Sequence, residues 1–250
     1  MGGFFNMNSP FYKFMSKLFD TMVISLVWSA SLVPVLVVIY FTEAIISLGA
    51  VGYALFILLM VVGASLVGPA STALYYTAVK AIRRDRGYVV REFVKSFKLN
   101  FKQALIVGII VTLFSSLLYL NLGYAKALQS EFGNMLWYVY IAMIIFLAMI
   151  SMYVFPVLSR YAVTIPNLFK MSFFFSIRHL LTTVVSLISF GVGVLGCFIT
   201  GGVGLVILPG ACTLLTSLMM ENVLKRYLPE EEVELNEEGE EIKKDEWFRE

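Results

Sequence analysis

Residues 180–220 read LLTTVVSLISFGVGVLGCFITGGVGLVILPGACTLLTSLMM, 41 positions without a charged side chain. A helix needs about 20 mostly apolar residues to cross roughly 30 Å of hydrocarbon. The stretch is twice that length, and Gly201-Gly202, followed by Gly204, supplies a place to reverse. Two membrane helices joined by a glycine turn follow. Lipid offers the backbone no hydrogen bonds, so each crossing must satisfy its own amides as a helix.

The same reading extends outward. Between Glu43 and Lys80 lie 36 uncharged residues, with Gly49 and Gly52 marking a turn and a span near 53–79. Thr21–Phe41 is a further uncharged run, and about 103–123 and 134–159 supply two more. The expectation is an all-α polytopic transmembrane helical bundle of about six spans. Composition agrees: 59% of the 250 residues are hydrophobic and 14% charged, with mean hydropathy +0.84. Soluble domains carry about 25% charged residues, which excludes a soluble enzyme or nucleic-acid binder.

Charge gives direction and domain organisation. Residues 230–250 hold eleven acids against Lys243, Lys244 and Arg249, a net of −8, which leaves +10 for residues 1–229. Fifteen Lys and Arg fall in one alternating set of connecting segments, and only Lys126 in the other. Basic residues stay on the cytoplasmic side, so both termini are expected in the cytoplasm of a multi-pass plasma-membrane protein. Trp137, Tyr138 and Tyr140, with Tyr119 and Tyr124, then form an aromatic belt at the outer interface. The domain reading is an interfacial amphipathic helix at 1–20, a membrane domain at 21–228 with a cytoplasmic basic loop at 80–102, and an acidic tail at 229–250. The tail has too little apolar content to offset ordering entropy and is expected to be mobile, with Trp247-Phe248 as an exposed aromatic pair.

Ser9-Pro10 reads as an N-cap followed by proline in the first turn, with Phe11, Phe14, Met15, Leu18 and Phe19 at helical spacing. Val90, Phe93, Val94, Phe97 and Phe101 repeat the pattern, and Arg91, Lys95, Lys98 and Lys102 occupy the other faces. These four are candidate contacts for anionic lipid headgroups or a partner. Gly2 is followed by Asn6 where myristoylation requires Ser or Thr, and no cleavable signal is read.

The chain also echoes itself. Gly68-Pro69, a basic segment and Lys95-Ser96-Phe97 parallel Phe155-Pro156, a basic segment and Met171-Ser172-Phe173, with Lys102 matching Arg178; Leu208-Pro209-Gly210 looks like the remnant of a third unit. Small residues recur every four positions at Ser189, Gly193, Cys197 and Gly201, at Gly108, Thr112 and Ser116, and at Ala64, Gly68 and Thr72. Such stripes let membrane helices approach closely. Gly68, Pro69, Pro156, Ser189, Gly193 and Cys197 are therefore candidate helix-packing or partner contacts.

Catalytic chemistry is not legible. No acid or base lies well inside a span as drawn, and Asp20, Glu43, Glu131 and Glu221 fall at ends or in loops. His179 has no neighbouring ligands for a metal. Neither Ser65 nor Ser71 has a base beside it. Cys197 and Cys212 sit at different depths, which disfavours a disulfide. No enzyme, cofactor, metal or nucleic-acid partner is expected.

Met1–Asn6, Trp28 with Pro34, Gly-Pro-Ala-Ser-Thr-Ala-Leu-Tyr-Tyr at 68–76, Arg91–Gln103 and Tyr153–Pro156 together resemble the YesL family of bacterial membrane proteins over roughly residues 1–225. Here 33 residues separate Pro34 from Gly68, more than the family pattern has. The resemblance implies an accessory membrane component associated with a carbohydrate importer of the ATP-binding-cassette type, and it offers no catalytic residues. The alternative is a small transporter or channel for a neutral solute, with a site near Pro69, Pro156 and Pro209, because broken helices line such sites.

Overall fold

The computed structural model describes residues 9–83 and 88–227, and no strand occurs among them. Helix α1 (Pro10–Ala30) opens as its sequence dictates: the Ser9 hydroxyl accepts the Tyr12 N–H at 3.2 Å and Pro10 takes the first turn. It continues into the membrane stretch without a break at residue 20, so the expected separate interfacial helix is its first turns. Helix α2 (Val33–Tyr40) leaves α1 at 49°. Pro34 has no N–H to offer the carbonyl of Ala30, and its ring collides with that carbonyl in a straight helix, which places the bend there.

Helix α3 (Thr42–Ile46) leads to Gly49, whose φ of +70° makes the turn that an L side chain would strain. Helix α4 (Ala50–Gly63), one 3-10 turn, α5 (Val67–Thr77) and a π stretch (Ala78–Arg83) then form one 34-residue helical segment. Helix α6 (Val89–Ala127) follows, then α7 (Glu131–Arg160), α8 (Ile165–Arg178) and α9 (Leu180–Ile199). Gly201 and Gly202, at φ +60° and +89°, reverse the chain as the sequence indicates, and α10 (Leu208–Lys225) folds back along α9. The expected basic loop at 80–102 is mostly helix, the end of the π stretch and the first turns of α6.

Four segments are long and apolar enough to cross a bilayer: Ala50–Arg83, Val89–Ala127, Glu131–Arg160 and Leu180–Ile199; the bent α1–α2 pair makes a fifth if it is one span. The expectation of six differs by α10, which carries Glu221, Asn222 and Lys225 within 18 residues. In the most apolar window of each spanning helix only 22–28% of residues are buried. The remaining apolar side chains point outward, which is the pattern of a bundle solvated by lipid.

The core gathers around α5, where every residue from Gly68 to Thr77 except Ser71 is buried. It is packed by α1, α6, α7 and α10. Tyr75, Tyr76 and Val79 meet Ala104 and Val107 of α6, Tyr153, Val154, Val157 and Leu158 of α7, and Met220, Val223 and Leu224 of α10. On α1, Trp28 donates its indole N–H to Ser71 Oγ at 3.0 Å. Ser25 of α1 accepts the Gly210 N–H at 2.9 Å, and Ser29 donates to the Leu205 carbonyl at 2.9 Å.

The internal echo has a structural counterpart. Ser96 and Ser172 are both fully buried, and so is Ser176, one turn beyond Ser172, where Asn100 follows Ser96. In the first unit the amphipathic stretch and the span are one helix, α6. In the second they are divided at His179, whose φ of −114° and ψ of 51° break α8 from α9. The acidic tail, Arg84, Arg86 and the first eight residues lie outside the described residues.

Candidate functional site

Four charged side chains, Lys80, Glu92, Arg160 and Glu221, converge at one end of the bundle and are buried there. Arg160 closes α7, and Glu221 lies one turn before the end of α10. Arg160 Nη2 meets Glu221 Oε2 at 3.0 Å, with side chains 1% and 2% exposed. The Tyr75 hydroxyl, from α5, donates to Glu221 Oε1 at 3.2 Å. A carboxylate near a helix C-terminus opposes the helix dipole, so these partners hold a charge that its own helix disfavours. Three helices are thereby tied through one carboxylate.

A second pair lies beside it. Lys80, in the π stretch, places Nζ 3.3 Å from Glu92 Oε2, with side chains 5% and 11% exposed. Glu92 stands in the first turn of α6, where the helix dipole favours a negative charge. Lys80 also donates to the Tyr76 hydroxyl at 3.2 Å. Arg83, at the end of the same stretch, donates through Nη1 to the Ser217 carbonyl of α10 at 2.8 Å. The wider turn of a π segment, a feature frequent at functional sites, directs these side chains towards both α6 and α10.

The chain just beyond the helices closes this end. The Tyr161 hydroxyl donates to the Leu224 carbonyl at 2.6 Å. Burial pushes its phenol up to about 12, against the opposing pull of Arg160, so it remains a donor through the physiological range. His179 Nε2 lies 3.3 Å from the Tyr227 hydroxyl. Partial burial, then Arg178 and Arg226, hold that imidazole below its ordinary value, which favours the neutral ring. Arg178 lies over the Phe174 and Tyr227 rings at 5.3 and 5.8 Å, joining the end of α8 to the end of α10.

The packing candidates divide among three contacts. A Cβ on Gly68 would strike the Ala104 carbonyl oxygen and lie 3.2 Å from Gly108 Cα. Two of the small-residue stripes thus meet, α5 against α6. A Cβ on Gly193 would lie 2.7 Å from Cys212 Sγ, and that thiol donates to the Ser189 carbonyl at 3.3 Å. The third stripe faces α10 of the same chain there. Cys197 lines a lateral apolar groove of about 440 Å³ with Trp28, Gly193, Pro209 and Cys212, and both thiols are free. Replacing Gly193 by Leu is therefore expected to lower the thermal midpoint in detergent, and unchanged melting would show that α9 and α10 do not meet at this stripe.

Pro69 and Pro156 are buried within α5 and α7, and Pro209 starts α10. Two grooves among the described residues do not bring the three together: the groove at Pro209 contains neither of the others, and a second groove of about 530 Å³ among α6, α7 and α8 is bordered by Pro166 instead. Arg91, Lys95, Lys98 and Lys102 are all exposed on the first turns of α6. Their spacing of i, i+4, i+7 and i+11 places them on one face, opposite Phe93, Ser96, Asn100 and Ala104, which are buried.

Sequence reasoning missed the buried ions because it read them by position along the chain. One signal was present. Glu92 and Glu221 are acids in segments dominated by lysine and arginine, and an acid among so many cations is placed to be paired. Among the described residues, no group of three or more His, Cys, Asp or Glu stands where a metal ion could be held.

No curated protein and no solved structure matches the chain. Residues 21–122 match a family described as a protein of unknown function, DUF624. The matched stretch contains Gly68, Gly108, Lys80 and Glu92 but stops short of Arg160 and Glu221. Over that part, from the fourth turn of α1 to near the end of α6, the chain is similar to an uncharacterised domain family.

Proposed function

We propose that this is a non-catalytic accessory component of the plasma membrane, which assists a carbohydrate importer of the ATP-binding-cassette type by docking on its membrane-embedded part. The observation that carries the reading is the contrast between the two sets of charges at one end of the bundle. Lys80 and Glu92 form a buried pair that ties the π stretch to α6, and Arg160 and Glu221 one that ties α7 to α10. Arg91, Lys95, Lys98 and Lys102 stand exposed on the rigid helix so fixed. A cationic ridge on a rigid support favours recognition of another surface, because little ordering cost remains to be met on binding. The likeness to the YesL family, through the residues named above, supplies the partner class.

The test is co-purification. A tagged copy, solubilised mildly from its own cells, should carry importer membrane subunits with it. Charge reversal by Lys95→Glu with Lys98→Glu should remove them while leaving the bundle folded. A purified protein with no importer subunit, under conditions that keep the importer itself intact, would sink the reading.

The topology proposed with it has six passes and both termini in the cytoplasm, α10 serving as the last pass. The contacts of Ser25 and Ser29 with 205–210, and of Glu221 with Arg160, support running α1 and α10 in opposite directions, so that α1 begins at the end where α10 finishes. In a background with Cys197→Ala and Cys212→Ala, Lys126→Cys should react with an impermeant thiol reagent added outside intact cells. Lys98→Cys should be protected until the membrane is opened. The reverse pattern would invert the molecule.

A further inference from the structure

We infer that the cationic ridge of α6 is the docking site of this chain's own acidic tail, residues 230–250, which covers the ridge until a partner displaces it. The inference rests on the ridge that the proposed function uses, but not on the identity of the partner. Three observations carry it.

The first is the form of the ridge. Arg91, Lys95, Lys98 and Lys102 are exposed and aligned over eleven residues, about 16 Å of helix. The second is charge complementarity. Residues 230–250 carry a net charge of −8 and hold eleven of the chain's 17 acids. The interior accounts for the charges beside the ridge, since Lys80 faces Glu92 and Arg160 faces Glu221.

The third is where the described chain ends. Arg83, which closes the π stretch just ahead of α6, reaches the Ser217 carbonyl of α10 at 2.8 Å, and Tyr227 lies ten residues beyond Ser217. Tyr227 is held at this same end by His179 and Arg178. The 23 residues that follow it span up to about 75 Å if extended, several times the length of the ridge. A tethered segment meets its site at an effective concentration of about millimolar, so modest electrostatic attraction suffices to hold it there. Reach, charge and location agree, whichever side of the membrane this end faces.

The experiment uses the full chain in lipid nanodiscs, with Cys197→Ala and Cys212→Ala and spin labels at Leu99→Cys on α6 and Asp245→Cys in the tail. Electron–electron distance measurement in phosphatidylcholine discs at low salt should show a short-distance population. It should be lost when Arg91, Lys95, Lys98 and Lys102 are all replaced by Gln, and lost in 0.5 M salt, where screening is shorter than the roughly 10 Å of 0.1 M solutions. Four exposed substitutions to Gln leave the core untouched, and an unchanged elution volume confirms the fold. A distance distribution that is the same with and without the four cations overturns the inference. So does a short population that vanishes in discs containing phosphatidylglycerol, because headgroups then occupy the ridge in place of the tail. Neither result bears on co-purification of importer subunits, which separates the failure of this inference from failure of the proposed function.

Discussion

Arg160→Met is expected to destabilise the bundle by about 3–5 kcal/mol, because it removes the guanidinium that meets the buried Glu221 carboxylate at 3.0 Å. Glu221 is 1% exposed, and from α5 the Tyr75 hydroxyl donates to its other oxygen. A neutral hydroxyl does not replace a guanidinium at 3.0 Å. The double variant Arg160→Met with Glu221→Leu is expected to regain most of the loss, since apolar residues of similar volume often substitute for a buried ion pair without net cost. The measurement is the thermal midpoint in detergent for the wild type, both single variants and the double variant. A loss in the double variant equal to the sum of the two single losses would mean that the two side chains do not depend on each other. Recovery in the double variant would still leave the ridge in place, so partner capture can be compared in the same set.

Gly68→Leu carries the second large effect. The obstacle at that position is backbone, the Ala104 carbonyl and Gly108 Cα, so rotating a neighbouring side chain relieves nothing. Helices α5 and α6 must separate, and α5 is the element around which α1, α7 and α10 also pack. Overpacking a well-filled core costs about 1–3 kcal/mol and occasionally more. The rigid obstacle places this variant at or above the top of that range. Gly68→Ala should show a smaller loss of the same sign, and Gly191→Ala, where a Cβ meets nothing within 4 Å, should melt with the wild type. Loss of the folded, monodisperse species for Gly68→Leu alone is the expected pattern. Equal behaviour of the variants at 68 and 191 would remove the helix crossing from the account.

Much of the architecture follows from hydropathy and turn chemistry. The uncharged runs, the proline at 34 and the glycines at 49, 201 and 202 act locally, and local rules locate them. Helix continuity is not local. Residues 10–20 and 89–102 look interfacial because their apolar faces are narrow and their other faces basic, yet each runs into its span because nothing interrupts the backbone ladder. Only at His179 does the corresponding segment break.

The ion pairs were the least legible feature. Arg160 and Glu221 are 61 positions apart, and Lys80 and Glu92 belong to different helical segments. Their partnership depends on which helices are neighbours, which periodicity does not state. The exposed ridge was legible, since spacing at helical intervals defines a face whatever lies behind it. The meeting of Gly68 with Gly108 was half legible: both small-residue stripes were visible, but their pairing was not.

The most direct test of the central claim is photocrosslinking in living cells from position 99, beside the ridge on α6. A photoreactive amino acid replacing Leu99 should form an adduct with a membrane subunit of a carbohydrate importer when the cells are illuminated. The adduct should disappear when Lys95 and Lys98 are reversed in charge. Illumination that yields adducts only with lipid or with another copy of this chain, while the importer is present in the same membrane, would contradict the account.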